Sequence, residues 1–229
     1  MSVIETRELK KTYEVGKIKV EALRGVTMKI EEGDFVTFAG PSGSGKTTLL
    51  NLVGGLDDIT SGEVFFDGVK INELSQSKLS QIRLNKIGFI FQQYNLIPVL
   101  TAYENVEYPL LLQGVKPDER KERIMNALVE VNIGELAHRR PGDMSGGQQQ
   151  RVAIARALAI RPKIVLADEP TANLDSKNSE SLIDQMRSIN ERDKVTFVFS
   201  THDPMVMGKS KRLIILRDGM IASEKRNNV

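Results

Sequence analysis

The residues best suited to chemistry form one short loop, Gly40-Pro-Ser-Gly-Ser-Gly-Lys-Thr47. This run fits the phosphate-binding pattern G-x-x-x-x-G-K-[ST], in which glycines let backbone N–H groups turn inward around phosphate oxygens. Lys46 would reach the β- and γ-phosphates, and the Thr47 hydroxyl would ligate Mg²⁺. A flexible Gly/Ser turn is the alternative, but residues 35–39 predict a strand before the loop and residues 47–54 predict a helix after it. The predicted nucleotide-binding residues here are Gly40, Pro41, Ser42, Gly43, Ser44, Gly45, Lys46, Thr47 and Thr48.

A second group of candidate residues, Asp168 and Glu169, follows the apolar run Ile164-Val-Leu-Ala. Such a run predicts a central strand, and ligands bind at the carboxyl edge of an open α/β sheet. We expect Asp168 to hold Mg²⁺ and Glu169 to act as general base for an attacking water. Two adjacent acids after a strand can also simply begin a loop, so the interpretation depends on the phosphate loop nearby.

A third group, Met144-Ser-Gly-Gly-Gln-Gln-Gln-Arg151, stands just before a helix predicted over residues 152–159. Ser145 and Gln148 have the spacing of a capping box, so ordinary helix capping is the alternative. Capping does not require Gly146 and Gly147, which cost about 1 kcal/mol each in a helix. Two glycines indicate backbone N–H groups that approach a ligand closely. Because the chain already has one phosphate loop, we expect this second site to serve the nucleotide of a partner chain.

The elements that must position these residues predict an α/β domain covering residues 1–229. Alternating residues at 3–9 and 26–30 predict strands, and a mostly helical insert covers about residues 74–160, with a helix over residues 116–131. Residues 179–189 predict a helix, and residues 195–200 and 213–216 predict strands. We expect the polar residues 224–229 to be frayed.

Composition excludes several other classes of protein. Of the 229 residues, 40% are hydrophobic and 27% are charged, which is typical of a globular domain. The chain has no cysteine, so disulfides and thiolate metal sites are excluded. A formal net charge of +2 gives no electrostatic argument for nucleic acid as a partner. No apolar run approaches the ~18–20 residues of a membrane span, so we expect any membrane crossing to belong to another subunit.

Together the three motifs resemble those of the nucleotide-binding subunit of an ATP-binding cassette (ABC) transporter, over nearly the whole chain. The loop from Gly40 to Thr47 is similar to Walker A, residues 164–169 to Walker B with its catalytic glutamate, and residues 144–148 to the LSGGQ signature, with Met144 replacing the usual Leu. The resemblance implies a P-loop NTPase core with a mixed sheet, an N-terminal antiparallel β region and an inserted helical subdomain. It also implies an ATPase that uses ATP and Mg²⁺ as a head-to-tail homodimer, with each ATP between one chain's Walker A and the other chain's signature.

The resemblance assigns roles to further residues. Tyr13 is similar to the aromatic residue that stacks on adenine, with a core or turn tyrosine as the alternative. Gln92 resembles the Q-loop glutamine that touches Mg²⁺ or the water, and Gln93 is its rival. Asp175 ends Ala172-Asn-Leu-Asp175, which looks like the D-loop at the dimer interface. His202 resembles the switch histidine at the γ-phosphate.

These roles complete the predicted site. The expected catalytic residues are Lys46, Glu169 and His202, and the expected metal ligands are Thr47, Gln92 and Asp168. The other histidine, His138, falls outside any motif, and we interpret it as structural.

Several stretches, among them Gly54-Gly-Leu-Asp57 and Phe91-Gln-Gln-Tyr-Asn-Leu-Ile-Pro98, look like the branch that holds lipoprotein-release and macrolide-exporter ATPases. That branch implies an integral-membrane permease as partner, and a cytoplasmic protein held peripherally on the inner face of the cell membrane. Residues 94–101 would line the groove where the permease docks, although simple packing within the insert is equally compatible with their apolar character.

Two alternatives from other classes stay open. A non-transport ABC ATPase could act in cell division, on ribosomes or on DNA, although such relatives usually carry two cassettes or a long coiled coil. A P-loop kinase would phosphorylate an acceptor as a monomer, but it leaves Ser145-Gly-Gly-Gln148 without a role.

Overall fold

The computed structural model describes residues 1–16 and 18–227. The strands in this part of the chain are β1 (Ser2–Val15), β2 (Ile18–Glu31), β3 (Phe35–Ala39), β4 (Ser61–Phe66), β5 (Val69–Lys70), β6 (Ile87–Ile90), β7 (Ile164–Asp168), β8 (Thr196–Ser200), β9 (Arg212–Arg217) and β10 (Met220–Arg226). The helices are α1 (Lys46–Val53), α2 (Gln76–Lys86), α3 (Ala102–Leu112), α4 (Pro117–Glu130), α5 (Gly146–Ala159), α6 (Ser176–Asp193) and α7 (Pro204–Lys209). Across these described residues, none of the helices has both the length and the apolarity that a membrane crossing requires.

Six strands form the central sheet, in the order β10-β9-β3-β8-β7-β6. β9, β3, β8, β7 and β6 pair in parallel, while β10 pairs antiparallel with β9. Every residue of β3 and β8 is buried, as expected for strands covered on both faces. Parallel strands bring their carboxyl ends to one edge, where Ala39, Asp168 and Ser200 end β3, β7 and β8. The phosphate loop, Glu169 and His202 follow these three strand ends.

The predicted N-terminal antiparallel region is a second sheet, in the order β2-β1-β4-β5. β1 and β2 have 14 residues each and pair along their length. β2 runs beside the central sheet, where the Arg24 N–H donates a hydrogen bond of 2.8 Å to the Gly219 carbonyl. Residues 20–22 of β2 thereby lie next to the phosphate loop, and the Ala22 carbonyl approaches Gly45.

The central sheet separates two hydrophobic clusters because successive side chains of a strand point to opposite faces. One cluster, here called the helical-face cluster, contains Phe35 and Phe199 together with buried residues of α3, α4, α5 and α6. The other, the α1-face cluster, contains Phe38, residues of the antiparallel sheet and the buried side of α1. The phosphate-loop helix and the helix after the signature therefore pack on opposite faces of one sheet.

The region predicted as a helical insert, residues 74–160, holds α2, α3, α4 and α5. It also holds β6, whose four residues pair with β7 in the central sheet, from Ile87 opposite Ile164 to Ile90 opposite Ala167. The bounds of the insert stay a prediction, but this range contains one strand of the core. α3 and α5 both begin with a capping box, at Thr101 and Ser145.

The end of the chain differs from its prediction. Residues 224–226 were expected to be frayed, but they complete β10, so this expectation is wrong for them. Glu224 pairs with Arg212 of β9, with Oε1 2.8 Å from Nε, which fixes the edge strand in register. Residues 228 and 229 lie outside the described part of the chain.

Candidate functional site

Two glycines allow the phosphate loop to close tightly between β3 and α1. Gly45 precedes α1 with a φ of 100°, and a Cβ there would lie 2.6 Å from the Ala22 carbonyl oxygen of β2. Gly40 has a φ of 147°, and a Cβ there would overlap the Leu216 carbonyl. Both positions combine a left-handed backbone with close approach of another strand, and only glycine meets the two conditions together.

The loop presents a polar cradle for an anion. Lys46 is buried, and its Nζ donates to the carbonyls of Gly40 and Pro41, each at 2.9 Å. Ser44 is 3% exposed, and its Oγ has no hydrogen-bond partner among the described residues. Ser44 does not line the open cavity beside the loop, so its unpaired hydroxyl is a feature of the packed side of the loop. The first turn of α1 points its N–H groups into the cradle.

Asp168 ends β7 beside the first turn of α1. The Thr47 hydroxyl donates to its Oδ1 at 3.0 Å. Burial raises the pKa of the Asp168 carboxyl, and the negative charge of Glu169 acts in the same direction, while the neighbouring Ser200 and Thr47 side chains and the charge of Lys46 oppose the shift. A hydroxyl and a carboxylate side by side are oxygen ligands of the type that Mg²⁺ prefers. These two residues therefore fit the predicted metal.

Glu169 is held in an unusual backbone conformation, with a φ of 45°. Its N–H donates to the Ser200 carbonyl at 2.8 Å. The carboxylate receives a hydrogen bond from the Thr201 hydroxyl on Oε2 at 2.8 Å, and His202 Nδ1 lies 2.7 Å from Oε1. His202 was predicted to contact a phosphate, and within this chain its ring instead contacts Glu169. Because Nδ1 is engaged there, Nε2 is the nitrogen that can reach a phosphate.

Tyr13 lies on β1 within a network that the sequence did not indicate. Its hydroxyl donates to Asp57 Oδ2 at 2.7 Å, and Lys11 Nζ donates to Asp57 Oδ1 at 2.7 Å. Lys11 Nζ also lies 4.7 Å from the centroid of the Tyr13 ring. Burial and the hydrogen bond to Asp57 raise the pKa of the Tyr13 hydroxyl, and the neighbouring Thr48 side chain partly offsets this. The ring is therefore fixed beside the first turn of α1.

Most of the residues predicted to catalyse or to bind nucleotide or metal within the chain line one open cavity of about 650 Å³, whereas Tyr13, Gly40, Ser44 and Asp168 lie outside its lining. Its walls combine residues of the phosphate loop and α1 with Gln92, Glu169, His202 and a short piece of β2. The lining residues are Val20, Glu21, Ala22, Pro41, Ser42, Gly43, Gly45, Lys46, Thr47, Thr48, Gln92, Glu169 and His202. Of the two rival glutamines, Gln92 belongs to this lining and Gln93 does not.

The residues predicted to act on a partner's nucleotide lie outside this lining. Ser145 is exposed at the start of α5. Its Oγ accepts a hydrogen bond from the Gln148 N–H, and its own N–H donates to Gln148 Oε1. A Cβ on Gly146 would lie 2.8 Å from the Tyr94 hydroxyl, so this glycine also has a packing reason within the chain. Gly147 follows it in the first turn of α5. Asp175 is exposed and caps α6 through the Asn178 N–H.

Two side chains connect these regions through contacts that their sequence motifs do not predict. Asn173 Nδ2 donates to the Gln92 carbonyl at 2.8 Å, which links the predicted D-loop to the predicted Q-loop. Arg156 of α5 donates to the carbonyls of Asn95 and Tyr94, at 2.6 and 2.8 Å. Tyr94 and Asn95 have φ values of 58° and 49°, so this guanidinium holds a left-handed turn in place.

A phosphate loop between a buried parallel strand and a helix, with an acidic strand end beside it, defines a P-loop nucleoside triphosphatase. A family model described as ABC transporter matches residues 23–172. The chain is 47% identical over 228 residues to the ABC transporter ATP-binding protein MJ0796 of Methanocaldococcus jannaschii, covering 98% of this chain and 97% of that protein. A dimeric structure of MJ0796 in a post-hydrolysis state bound to ADP and Pi matches with a TM-score of 0.91 at 46% identity, over 97% of this chain and 98% of that one.

The chain therefore belongs to the ABC transporter family, as an ATP-binding cassette with ATPase activity. The predicted resemblance, fold class and enzyme class are confirmed. The chain is also 45% identical over 226 residues to the macrolide export ATP-binding/permease protein MacB of Syntrophobacter fumaroxidans. That match covers 98% of this chain but 32% of MacB, so the chain spans about a third of that relative.

Proposed function

We propose that two copies of this chain bind head to tail around two ATP molecules and drive a membrane permease. One observation carries the proposal: the signature residues Ser145 to Gln148 lie at an exposed helix start, outside the cavity that holds the phosphate loop. A second copy related by a two-fold axis can place its signature over the open cavity. The dimeric state of the MJ0796 structure supports this arrangement.

In this arrangement the phosphates of ATP lie in the cradle of the loop. Lys46 exchanges its bonds to two loop carbonyls for bonds to the β- and γ-phosphates. Thr47 and Asp168 would hold Mg²⁺, with Gln92 at the same cavity wall. When bound, the ion neutralises charge that develops on the phosphates.

Glu169 is placed to take the proton from the attacking water. Its carboxylate lies in the cavity wall and is oriented by Thr201 and His202 on its two oxygens. A positioned carboxylate base contributes about 10²–10⁴-fold to a rate. Water attack at the γ-phosphate breaks its bond to the bridging oxygen and leaves ADP and phosphate, and His202 Nε2 can hold the transferred group.

The permease would dock on an apolar groove beside the predicted Q-loop. The groove has a volume of about 350 Å³, and its lining includes Leu84, Phe91, Tyr108 and Leu112. Tyr108 is 49% exposed and Leu112 is 59% exposed. Of residues 94–101, which were predicted to line the docking groove, Asn95 is part of the lining, and Arg156 of α5 lines it as well. A cytoplasmic helix of the permease is the occupant that the family relationship favours.

The similarity to MacB favours the macrolide-exporter and lipoprotein-release branch. In that case the partner is an integral-membrane permease that moves cargo by mechanical transmission. The cassette would then lie on the cytoplasmic face of the cell membrane, held there by its partner. Nothing in the charge of the chain favours nucleic acid instead.

Light scattering after size-exclusion chromatography tests the sandwich. Glu169→Gln should bind ATP, hydrolyse it about 10²–10⁴-fold more slowly, and change from monomer to dimer when ATP and Mg²⁺ are added. Glu122→Gln, an exposed acid on α4, is the matched control and should turn over normally. Adding Ser145→Arg to Glu169→Gln should abolish the dimer and leave the ATP affinity of the monomer nearly intact.

Three results would contradict the proposal in different ways. Unchanged turnover in Glu169→Gln would remove the role of this base. A Ser145→Arg chain that still forms the ATP-dependent dimer would place the signature away from the interface. Loss of monomer affinity in Ser145→Arg would mean that the signature serves its own chain's nucleotide.

Co-purification from membranes tests the partner. Leu112→Ser should weaken association with the permease and leave the ATPase rate of the free chain unchanged, because the groove lies outside the nucleotide cavity. Leu111→Ser is the control, since Leu111 is 49% exposed but does not line the groove. A wild-type chain that fractionates with ribosomes rather than membranes would favour the non-transport alternative.

A further inference from the structure

Gln150 is a polar residue in the interior of helix α5. Its side chain is fully buried, with 0% exposure. The amide Nε2 donates to the Pro170 carbonyl at 2.8 Å, whereas Oε1 has no hydrogen-bond partner in the described part of the chain. A half-paired buried amide destabilises a core relative to an apolar side chain of similar volume. Packing alone therefore does not explain why a glutamine occupies this position and donates to Pro170.

Pro170 directly follows the general base. Glu169 has a left-handed backbone, which costs energy for a residue with a side chain. Such a conformation persists only where its surroundings fix it on both sides. The Glu169 N–H donates to the Ser200 carbonyl at 2.8 Å, the Glu169 carbonyl accepts from the Ala172 N–H at 3.2 Å, and the Pro170 carbonyl accepts from Gln150. Removing the Gln150 amide releases one of these three restraints.

The other end of the bond lies on the helix that carries the signature. Ser145 caps α5, and Gln150 stands in its second turn. Arg156, two turns further along, holds the other left-handed segment, Tyr94 and Asn95. A helix rises about 1.5 Å per residue and behaves as a stiff rod over this length. α5 thus connects a surface facing the partner to two strained segments of its own chain.

We propose that Gln150 is a positioning residue that ties the signature helix to the general base of the same chain. The inference rests on the proposed sandwich. In the dimer, the signature of one chain contacts the nucleotide of its partner, while Gln150 fixes Glu169 at that chain's own nucleotide. Each chain therefore couples the partner's bound nucleotide to hydrolysis in its own site.

The first experiment replaces the amide by an apolar group of similar length. Gln150→Met should lower kcat about tenfold, as expected for loss of one positioning hydrogen bond, and keep KM for ATP within about twofold. Its unfolding temperature should change little, because removal of the unpaired oxygen offsets the loss of the donor to the buried Pro170 carbonyl. Gln113→Met is the matched control: Gln113 Nε2 donates to the Leu84 carbonyl at 2.9 Å, and neither residue lines the nucleotide cavity. It should lower the unfolding temperature and leave kcat unchanged.

The second experiment separates action within a chain from action across the interface. A trace amount of the chain that retains Glu169 is mixed with a large excess of the Glu169→Gln chain. Nearly every chain that can hydrolyse ATP then pairs with a Glu169→Gln chain, here called the silent chain. Phosphate release is measured in the first turnover. Gln150→Met should slow release about tenfold when it is on the chain with Glu169 intact. On the silent chain, which supplies only the signature to the active site, it should have little effect.

Each opposing result overturns the inference. An equal or larger loss with Gln150→Met on the silent chain would mean that Gln150 acts through the signature contact. Normal kcat in Gln150→Met, or a fall in unfolding temperature with kcat restored on cooling, would leave only a packing role. Gln150→Leu, a second apolar replacement, gives the same comparison if Gln150→Met does not fold. A mixture that forms no dimer, or releases no phosphate with both Gln150 residues intact, would contradict the sandwich itself.

Discussion

The predicted stacking of Tyr13 on the base of ATP can be tested with two substitutions at one position. Tyr13→Phe keeps the ring and removes the hydroxyl, while Tyr13→Ala removes both. In the structure the hydroxyl is engaged by Asp57, and Lys11 lies over one face of the ring. We therefore expect the base to stack on the opposite face, and the hydroxyl to orient the ring without touching the base.

These contacts predict different losses of nucleotide affinity for the two variants. Stacking of a base on an aromatic side chain is worth about 1–3 kcal/mol by alanine substitution, which is about 5- to 150-fold in Kd. Tyr13→Ala should lose that amount. Tyr13→Phe should bind within about threefold of wild type, because stacking is retained. Tyr13→Phe should instead lower the free energy of unfolding by about 1 kcal/mol, because one hydrogen bond to Asp57 is lost while Lys11 still neutralises the Asp57 carboxylate.

Isothermal titration calorimetry with ADP and Mg²⁺ measures this affinity without hydrolysis or the sandwich. The free energy of unfolding in urea, measured for the same three proteins, gives the stability term separately. A stack does not read the edge of the base, so GDP should bind within about fivefold of ADP. The reasoning fails if Tyr13→Phe loses as much affinity as Tyr13→Ala, since the hydroxyl would then read the base directly. It also fails if Tyr13→Ala binds normally.

Two further predictions concern stability. Asp67 accepts hydrogen bonds from Lys163 and Lys86, and these lower the pKa of its carboxyl; Asp67→Asn should cost about 1 kcal/mol at pH 7, allowing for partial exposure. Because the pKa of Asp67 is lower in the folded than in the unfolded state, this contribution exists above about pH 4 and disappears as the pH falls further. The free energies of unfolding of wild type and Asp67→Asn in urea should therefore become equal at acid pH. A difference that stays constant with pH would refute the ion-pair origin. Gly45→Ala should destabilise the nucleotide-free protein by about 3 kcal/mol, because the new Cβ adds a clash with Ala22 to the backbone strain. Gly43→Ala, whose Cβ would meet nothing within 4 Å, should cost about 1 kcal/mol from strain alone. Equal shifts in the thermal unfolding temperature of the two variants would exclude the clash.

The sequence was sufficient where function depends on local order along the chain. The phosphate loop is predicted from the spacing of its residues after an apolar strand, and Asp168 and Glu169 are predicted from their place at the end of another apolar strand together with that loop. β3 was predicted with its observed bounds, Phe35–Ala39, because a run of buried residues between turns has one reading in an α/β domain.

What the sequence did not reveal depends on partners distant in the chain. Asp57 was noted as part of a family stretch, and its bond to Tyr13 spans 44 residues. An interior glutamine such as Gln150 looks like any other helix residue until its burial is known. α2 has no buried residue, and β10 is exposed at nearly every position, so neither shows the alternation on which sequence interpretation depends. β6 was visible as an apolar stretch, but its place in the central sheet comes from pairing with β7.

The division of the core into a helical-face cluster and an α1-face cluster has a genetic consequence. Damage to the helical face, for example at Val106 or Leu128, would loosen the signature half while the phosphate loop on the other face stays folded. In the proposed sandwich, such a chain would still bind ATP and pair with an intact chain, and one of the two sites would then lack a functional signature. Alleles of this kind should be dominant over an intact copy, whereas alleles that unfold the α1 face should be recessive.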